Sequence, residues 1–280
     1  MTYGPNPWQQ THWDARAAGN FIGGGAGCGL LVATVAAGAA GDLRMLSLAL
    51  AIALIGGGLA CVWAEIGRPW RALNVLFNVR KSWMSREAAL APLLLGSAVL
   101  LLAGVGAAAW LAVPAALGFL YCQARILQAA RGIPAWREPL TVPLIMVSGN
   151  AEGAGLYAAL AVLSGRPSAG SCFVLVVLLA LRSVLGAVWR RRVARTLRGA
   201  ALRSLAEGRH ASRIAGPLPL VLAFAALVHP LAPGWVGPLQ LLAGVLALAG
   251  GAWFKFVIVT RASFNQGFVL PHLPVRGVHR

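Results

Sequence analysis

Long apolar runs alternate with short polar segments along almost the whole chain. The runs cover about Ala17–Ala40, Leu43–Ala64, Ala88–Ala109, Trp110–Ala130, Thr141–Leu163, Gly170–Trp189, Ile214–Leu231 and Val236–Thr260. Each is about twenty residues long, the length an α-helix needs to cross a hydrocarbon core of about 30 Å. Backbone amides in lipid must pair within their own segment, so the pattern predicts an all-α fold. The expected architecture is a polytopic membrane bundle of eight transmembrane helices over residues 17–260, with an interfacial lead-in (1–16) and a polar tail (261–280). In the first run, Gly23/Gly27 and Gly25/Gly29 form two GxxxG pairs, which let helix backbones approach closely. A phosphate-binding glycine loop would need a preceding strand and a following ribose-binding acid, and neither is present.

The junction between the second and third runs organises the chain. It reads Glu65-Ile-Gly-Arg68-Pro69-Trp70-Arg71-Ala-Leu-Asn74 and continues through Arg80-Lys81-Ser82-Trp83-Met84-Ser85-Arg86-Glu87. Pro69 has no N–H to give a helix, and Arg68 before it is pushed out of helical geometry. The expectation is an ordered, strongly basic hinge at a membrane surface.

Composition supports the membrane reading. The chain is 59% hydrophobic and 11% charged, against about 25% charged for soluble domains. A net charge of +17 could suit nucleic acid, but cations placed between spans report orientation instead. With eight spans, Arg44 and Arg166 fall on one face and the remaining 22 of the 24 cations on the other, counting Arg125, Arg182 and Lys255 at nearby helix ends. The excess of cations belongs inside, which places both termini in the cytoplasm. The lead-in lacks the charged start of a signal peptide, so the first run is expected to remain as a span. Cys28, Cys61, Cys122 and Cys172 stand singly in apolar runs, as packed thiols do.

Polar groups inside spans are costly and therefore informative. Asn20, Glu65, Tyr121, Gln123 and Arg125 all approach the cytoplasmic side, and together could hydrogen-bond a carbonyl headgroup. The plainer alternative is that Arg125 snorkels and Glu65 pairs with Arg68. Glu152 lies eleven residues into the fifth run, near mid-membrane. It is either a neutral structural acid or a proton relay. No histidine lies inside a span except His229 at an outer end, which excludes bis-histidine haem ligation across two spans. Without a metal-ligand cluster or a nucleophile–base set, this chain is expected to perform no bond chemistry alone.

The hinge, the lead-in Pro7-Trp8-Gln9-Gln10 through Asn20-Phe21, and the turn Ile133-Pro-Ala-Trp136 together resemble the membrane anchor subunits of DMSO reductase-type molybdoenzymes. Within that family, the lead-in and Phe264-Asn-Gln-Gly-Phe268 look most like anchors of phenylacetyl-CoA:acceptor oxidoreductase or quinone-linked sulfite dehydrogenase. The resemblance implies an anchor without a cofactor of its own, holding an iron–sulfur subunit and, through it, a molybdopterin catalytic subunit. It also implies electron exchange with membrane quinone. On that reading Asn20, Glu65, Arg68, Tyr121, Gln123 and Arg125 form the quinone site, with Glu65 as the proton-exchanging group and Glu152 on a proton path. Arg68, Arg71, Arg80, Lys81, Arg86, Arg190, Arg191 and Arg192 would dock the partner. The family often has histidine where Glu65 stands, and a carboxylate there exchanges protons with a different pKa. A small-solute transporter or channel is the alternative, but neither an internal repeat nor a matched pair of broken helices supports it.

The charge asymmetry yields a topology prediction. Reporter fusions at Leu202 should score cytoplasmic and fusions at Pro233 external. A cytoplasmic signal at Pro233 would overturn the eight-span topology.

Overall fold

The computed structural model describes residues 7–65, 69–197, 201–204, 216–228 and 233–266, with backbone alone at 69–73 and 233. The described residues form α1 (Ala15–Ala36), α2 (Gly41–Glu65), α3 (Trp83–Leu102), α4 (Ala109–Ala129), the one-turn α5 (Pro134–Arg137), α6 (Thr141–Leu163), α7 (Ala169–Thr196), α8 (Pro217–Val228) and α9 (Val236–Phe256), with a further helical turn at 201–204. A 3₁₀ segment, Pro69–Asn78, follows α2, consistent with the helix-breaking role expected of Pro69. Ser82 then caps α3, its side chain accepting from the Ser85 N–H.

Among the described residues, six segments are long and apolar enough to cross a membrane: Ala15–Ala36, Gly41–Glu65, Trp83–Leu102, Gly106–Ala129, Ala169–Thr196 and Val236–Arg261. The protein is thus a multi-pass, all-helical membrane protein. α6 has 23 residues and the necessary length, but Asn150 and Glu152 dilute its hydropathy. It can carry them because it lies inside the bundle, where neighbouring helices replace lipid. α8 has 12 described residues, about 18 Å of helix. The rest of the expected seventh span lies outside the described residues.

α1 and α6 form the centre. α1 packs against α2, α4, α6 and α9, while α6 also carries α4, α7 and α9 on its flanks. The two GxxxG pairs of α1 serve different neighbours. Gly23 and Gly27 face α2, where an added Cβ would meet the carbonyls of Leu54 and Ala51 at 2.7 and 2.8 Å. Gly25 and Gly29 face α6, and Gly29 lies directly on the backbone of Gly149 and Asn150. From the other side, a Cβ at Gly153 would overlap the backbone of Gly29 and Leu30. Gly155 meets Gly244 of α9 in the same manner. Lipid tails are as apolar as leucine, so close van der Waals fit and not water exclusion holds these helices together.

At the end of the bundle opposite the termini, connections are tight. α1 and α6 each close on a left-handed glycine, Gly38 (φ 60°) and Gly165 (φ 68°), with the 6→1 bonds Ala39 N–H to Thr34 O and Arg166 N–H to Ala161 O. The two cations expected on this face satisfy carbonyls: Arg44 donates to Leu101 O at 2.7 Å and Arg166 to Ala40 O at 3.2 Å.

Gly153→Ala should lose at least about 1–3 kcal/mol of stability through overpacking. Gly56→Ala, at a position with open space around it, should be neutral or stabilising by up to about 1 kcal/mol. Thermal unfolding of the two variants in one detergent compares them, and equal midpoints would refute the backbone contact.

Candidate functional site

The lead-in, the 131–139 turn and the end of α9 come together at one end of the bundle. α9 runs into a π-helical turn, Val257–Arg261, whose carbonyls are left for side chains to satisfy. Trp136 Nε1 donates to Ile258 O (2.7 Å) and Gln9 Nε2 to Thr260 O (2.5 Å). The Gln10 N–H bonds Ser263 O, the Trp8 N–H bonds Asn265 Oδ1, and the Trp13 ring packs tilted against Trp136 with centroids 4.9 Å apart. Asp14 then caps α1, and hydrogen bonds from the Arg16 side chain and backbone hold its carboxyl below the usual carboxylate range. This clasp fixes where α1 begins, and hence the depth of Asn20.

Just inside lies a buried polar cluster. Asn20 Nδ2 donates to Glu87 Oε1 at 3.0 Å, and Gln123 Nε2 donates to the Asn20 carbonyl at 2.9 Å. All three side chains are buried, and Asn20 Oδ1 and Gln123 Oε1 have no hydrogen-bond partner among the described residues. Gly24 makes room for the Gln123 amide. A buried carboxylate with amides around it can exchange a proton with a bound group and hydrogen-bond that group's oxygens.

Sequence reasoning places Glu65 here, and the structure does not. Asn20 instead packs opposite Gly58 of α2. Glu65, seven residues further on, is about 10 Å along the helix. There it is half-buried at the end of α2 beside Asp14 and Arg16, and Arg16 Nη1 donates to Ala64 O at 3.0 Å. In the sequence, Glu87 reads only as the end of the basic hinge. The signal that identifies it is helical phase: Glu87, Ala91, Leu94, Ala98 and Leu101 form one buried stripe of α3.

Tyr121 and Arg125 lie on another flank of α4. Trp83 meets Tyr121 edge-on at 5.6 Å, and the Arg125 and Arg86 guanidinium groups sit 4.7 and 4.1 Å from its ring centre. The expected site is therefore divided: Asn20 and Gln123 in the cluster, Tyr121 and Arg125 beside it, Glu65 nearer the surface. Arg68 lies outside the described residues.

A second buried set spans α6, α7 and α9. Lys255 Nζ donates to Glu152 Oε2 at 2.8 Å, both side chains fully buried, and Arg182 Nη1 donates to Ala247 O at 2.9 Å. Gly25 leaves space for the ammonium and Gly251 for the carboxylate, since a Cβ at either would collide with the pair. This corrects the placement of Arg182 and Lys255 at the membrane surface. Both are buried in the bundle, so the basic face loses these two cations. The two polar sets flank adjacent residues of α1, with Gln123 against Gly24 and Lys255 against Gly25.

Of the expected docking residues, Arg80, Lys81, Arg191 and Arg192 are exposed and Arg190 is half-buried. Arg192 reaches Glu138 at 3.3 Å. Arg86 donates to the carbonyls of Val79 and Arg80 at 2.9 and 2.8 Å, so it stiffens the hinge from within. The side chain of Arg71 lies outside the described residues.

These features define a multi-pass helical membrane protein with buried ionisable groups and a basic end. The chain matches the DMSO reductase anchor subunit (DmsC) family over residues 27–227, most of its length, and belongs to that family. It is also 29% identical over 189 residues to a sulfite dehydrogenase subunit of Allochromatium vinosum, a match covering 58% of this chain and 56% of the relative. The chain thus spans about half the length of the curated relative it matches.

The ion pair predicts non-additive stability. Lys255→Met leaves Glu152 buried without its cation and should cost about 3–5 kcal/mol. The double variant Glu152→Gln/Lys255→Met should recover much of that loss. A double variant whose midpoint falls by the sum of the single losses would show the two groups to be independent.

Proposed function

We propose that this chain is the membrane anchor of a molybdoenzyme complex in the bacterial cytoplasmic membrane, with eight crossings and both termini inside. In this reading it holds an iron–sulfur subunit and a molybdopterin catalytic subunit at its basic face and exchanges electrons with membrane quinone. Family membership supports the anchor role, and the buried Glu87–Asn20–Gln123 cluster is the observation that supports a quinone site. The exposed Arg80, Arg191 and Arg192 suit an acidic partner surface, because arginine forks pair well with carboxylates.

A quinone needs hydrogen bonds at its carbonyls and a proton route as electrons enter or leave. The amides of Asn20 and Gln123 are in reach of a headgroup beside Glu87, and Glu87 takes or gives the proton. Glu65, about 10 Å nearer the surface along α2, passes it to the cytoplasm. Tyr121 and Arg125 hold the ring of Trp83, the first residue of α3, beside the cluster. The Glu152–Lys255 pair lies across α1 from Gln123, where it suits a further proton station.

Glu87→Gln keeps size and hydrogen bonding but removes titration. In the purified complex it should lower quinone-linked turnover about 10²-fold or more and leave activity with a soluble artificial electron carrier intact. Glu65→Gln should have the smaller effect. Full quinone-linked turnover in the Glu87 variant, with an unchanged pH profile, would falsify the assignment.

A further inference from the structure

A hollow of about 640 Å³ opens at the termini end of the bundle, between the start of α3, the end of α4, the 131–139 turn and Thr196 of α7. Lys81, Arg125, Arg131 and Arg137 line it, with Trp83 as one wall and Glu138 as its one acid. Glu138 is engaged by Arg192. None of the four cations forms an ion pair among the described residues, and Arg125 Nε is buried without a hydrogen-bond partner. Four cations converging on one concavity repel one another, and an anion with several acceptor oxygens relieves that repulsion.

The surroundings indicate where the anion comes from. Leu76, Phe77 and Met84, next to Lys81 and Trp83, are exposed, Phe77 by 87%. Apolar side chains exposed beside cations and an indole are the pattern of a segment lying at the lipid–water boundary. A lipid satisfies both features at once, the cations with its phosphate and the apolar shelf with its acyl chains. Ala129 at the end of α4 and Thr196 at the end of α7 both line the hollow, so it lies where two membrane-crossing helices end, the level at which lipid headgroups sit. We infer that this hollow is a binding site for the phosphate headgroup of an anionic membrane phospholipid, which braces the 131–139 turn against the hinge.

The test uses the full chain in neutral detergent, titrated with short-chain phosphatidylglycerol, short-chain phosphatidylcholine and inorganic phosphate. Bound lipid is counted by native mass spectrometry and the thermal midpoint is followed. Phosphatidylglycerol should saturate one site and raise the midpoint, and the other two should bind far more weakly. Lys81→Gln/Arg131→Gln should weaken that binding about 25-fold, about fivefold per cation, with the lipid-free midpoint unchanged. Arg191→Gln/Arg195→Gln removes the same charge outside the hollow and should change it less than about twofold. Equal losses in both double variants would mean diffuse attraction and overturn the site. Phosphate binding as tightly as phosphatidylglycerol would make it a pocket for a free ion. Expulsion of the lipid when the partner subunit binds, together with failed assembly of Lys81→Gln/Arg131→Gln, would assign the hollow to an acidic protein surface.

Discussion

The contact between α1 and α6 is made backbone to backbone, Gly25 and Gly29 against Gly149 and Gly153. Most other features depend on that separation. Side chains at these positions would push the helices apart and leave Lys255, which packs beside Gly25, without a wall. The same closeness lets α9 approach α6 from the far side through Gly155 and Gly244. In a medium where apolar side chains gain nothing by leaving lipid, such close fit and the hydrogen bonds it aligns hold the bundle together.

The charged side chains of the interior sit against specific partners. Glu152 is paired with Lys255, and Glu87 is held by Asn20. A buried ion pair adds little net stability over well-packed apolar residues, because desolvation offsets most of the attraction. Its presence between α6 and α9 therefore points to specificity of register or to function. At the opposite end, Arg44 donates to the Leu101 carbonyl of α3 and Arg166 to the Ala40 carbonyl in the α1–α2 connection. At the termini end, Gln9, Gln10 and Trp136 serve the carbonyls released by the π-turn of α9. Ends and interior are thus governed by one requirement, that no backbone or side-chain dipole face lipid alone.

Two buried ionisable sets lie on either side of α1. The Glu87 cluster is the nearer to the basic end, where an electron-carrying partner is proposed to dock. The Glu152 pair lies deeper among α6, α7 and α9. Only the two-glycine width of α1 at Gly24–Gly25 separates the groups that touch it from either side.

The amino-acid sequence by itself determined the helical class, the place of most of the apolar helices, the break at Pro69 and the two glycine faces of α1. These follow from local rules: hydropathy sets which segments enter lipid, proline stops a helix, and spacing by four residues places glycines on one side. The same rules placed Asn20 and Gln123 at one depth, because both lie a countable number of residues from a helix end. What only the tertiary structure decided was which polar groups meet. Glu65 and Glu87 are both acids at the ends of spans, and depth alone does not separate them. The rotation of α3 turns Glu87 toward Asn20, while Glu65 remains beside Arg16 at the rim. Lys255 likewise has the sequence position of a surface anchor at a helix end, yet it is fully buried opposite Glu152. Partners 103 residues apart in the chain are chosen by how α6 and α9 cross, and no local pattern in either helix encodes that crossing.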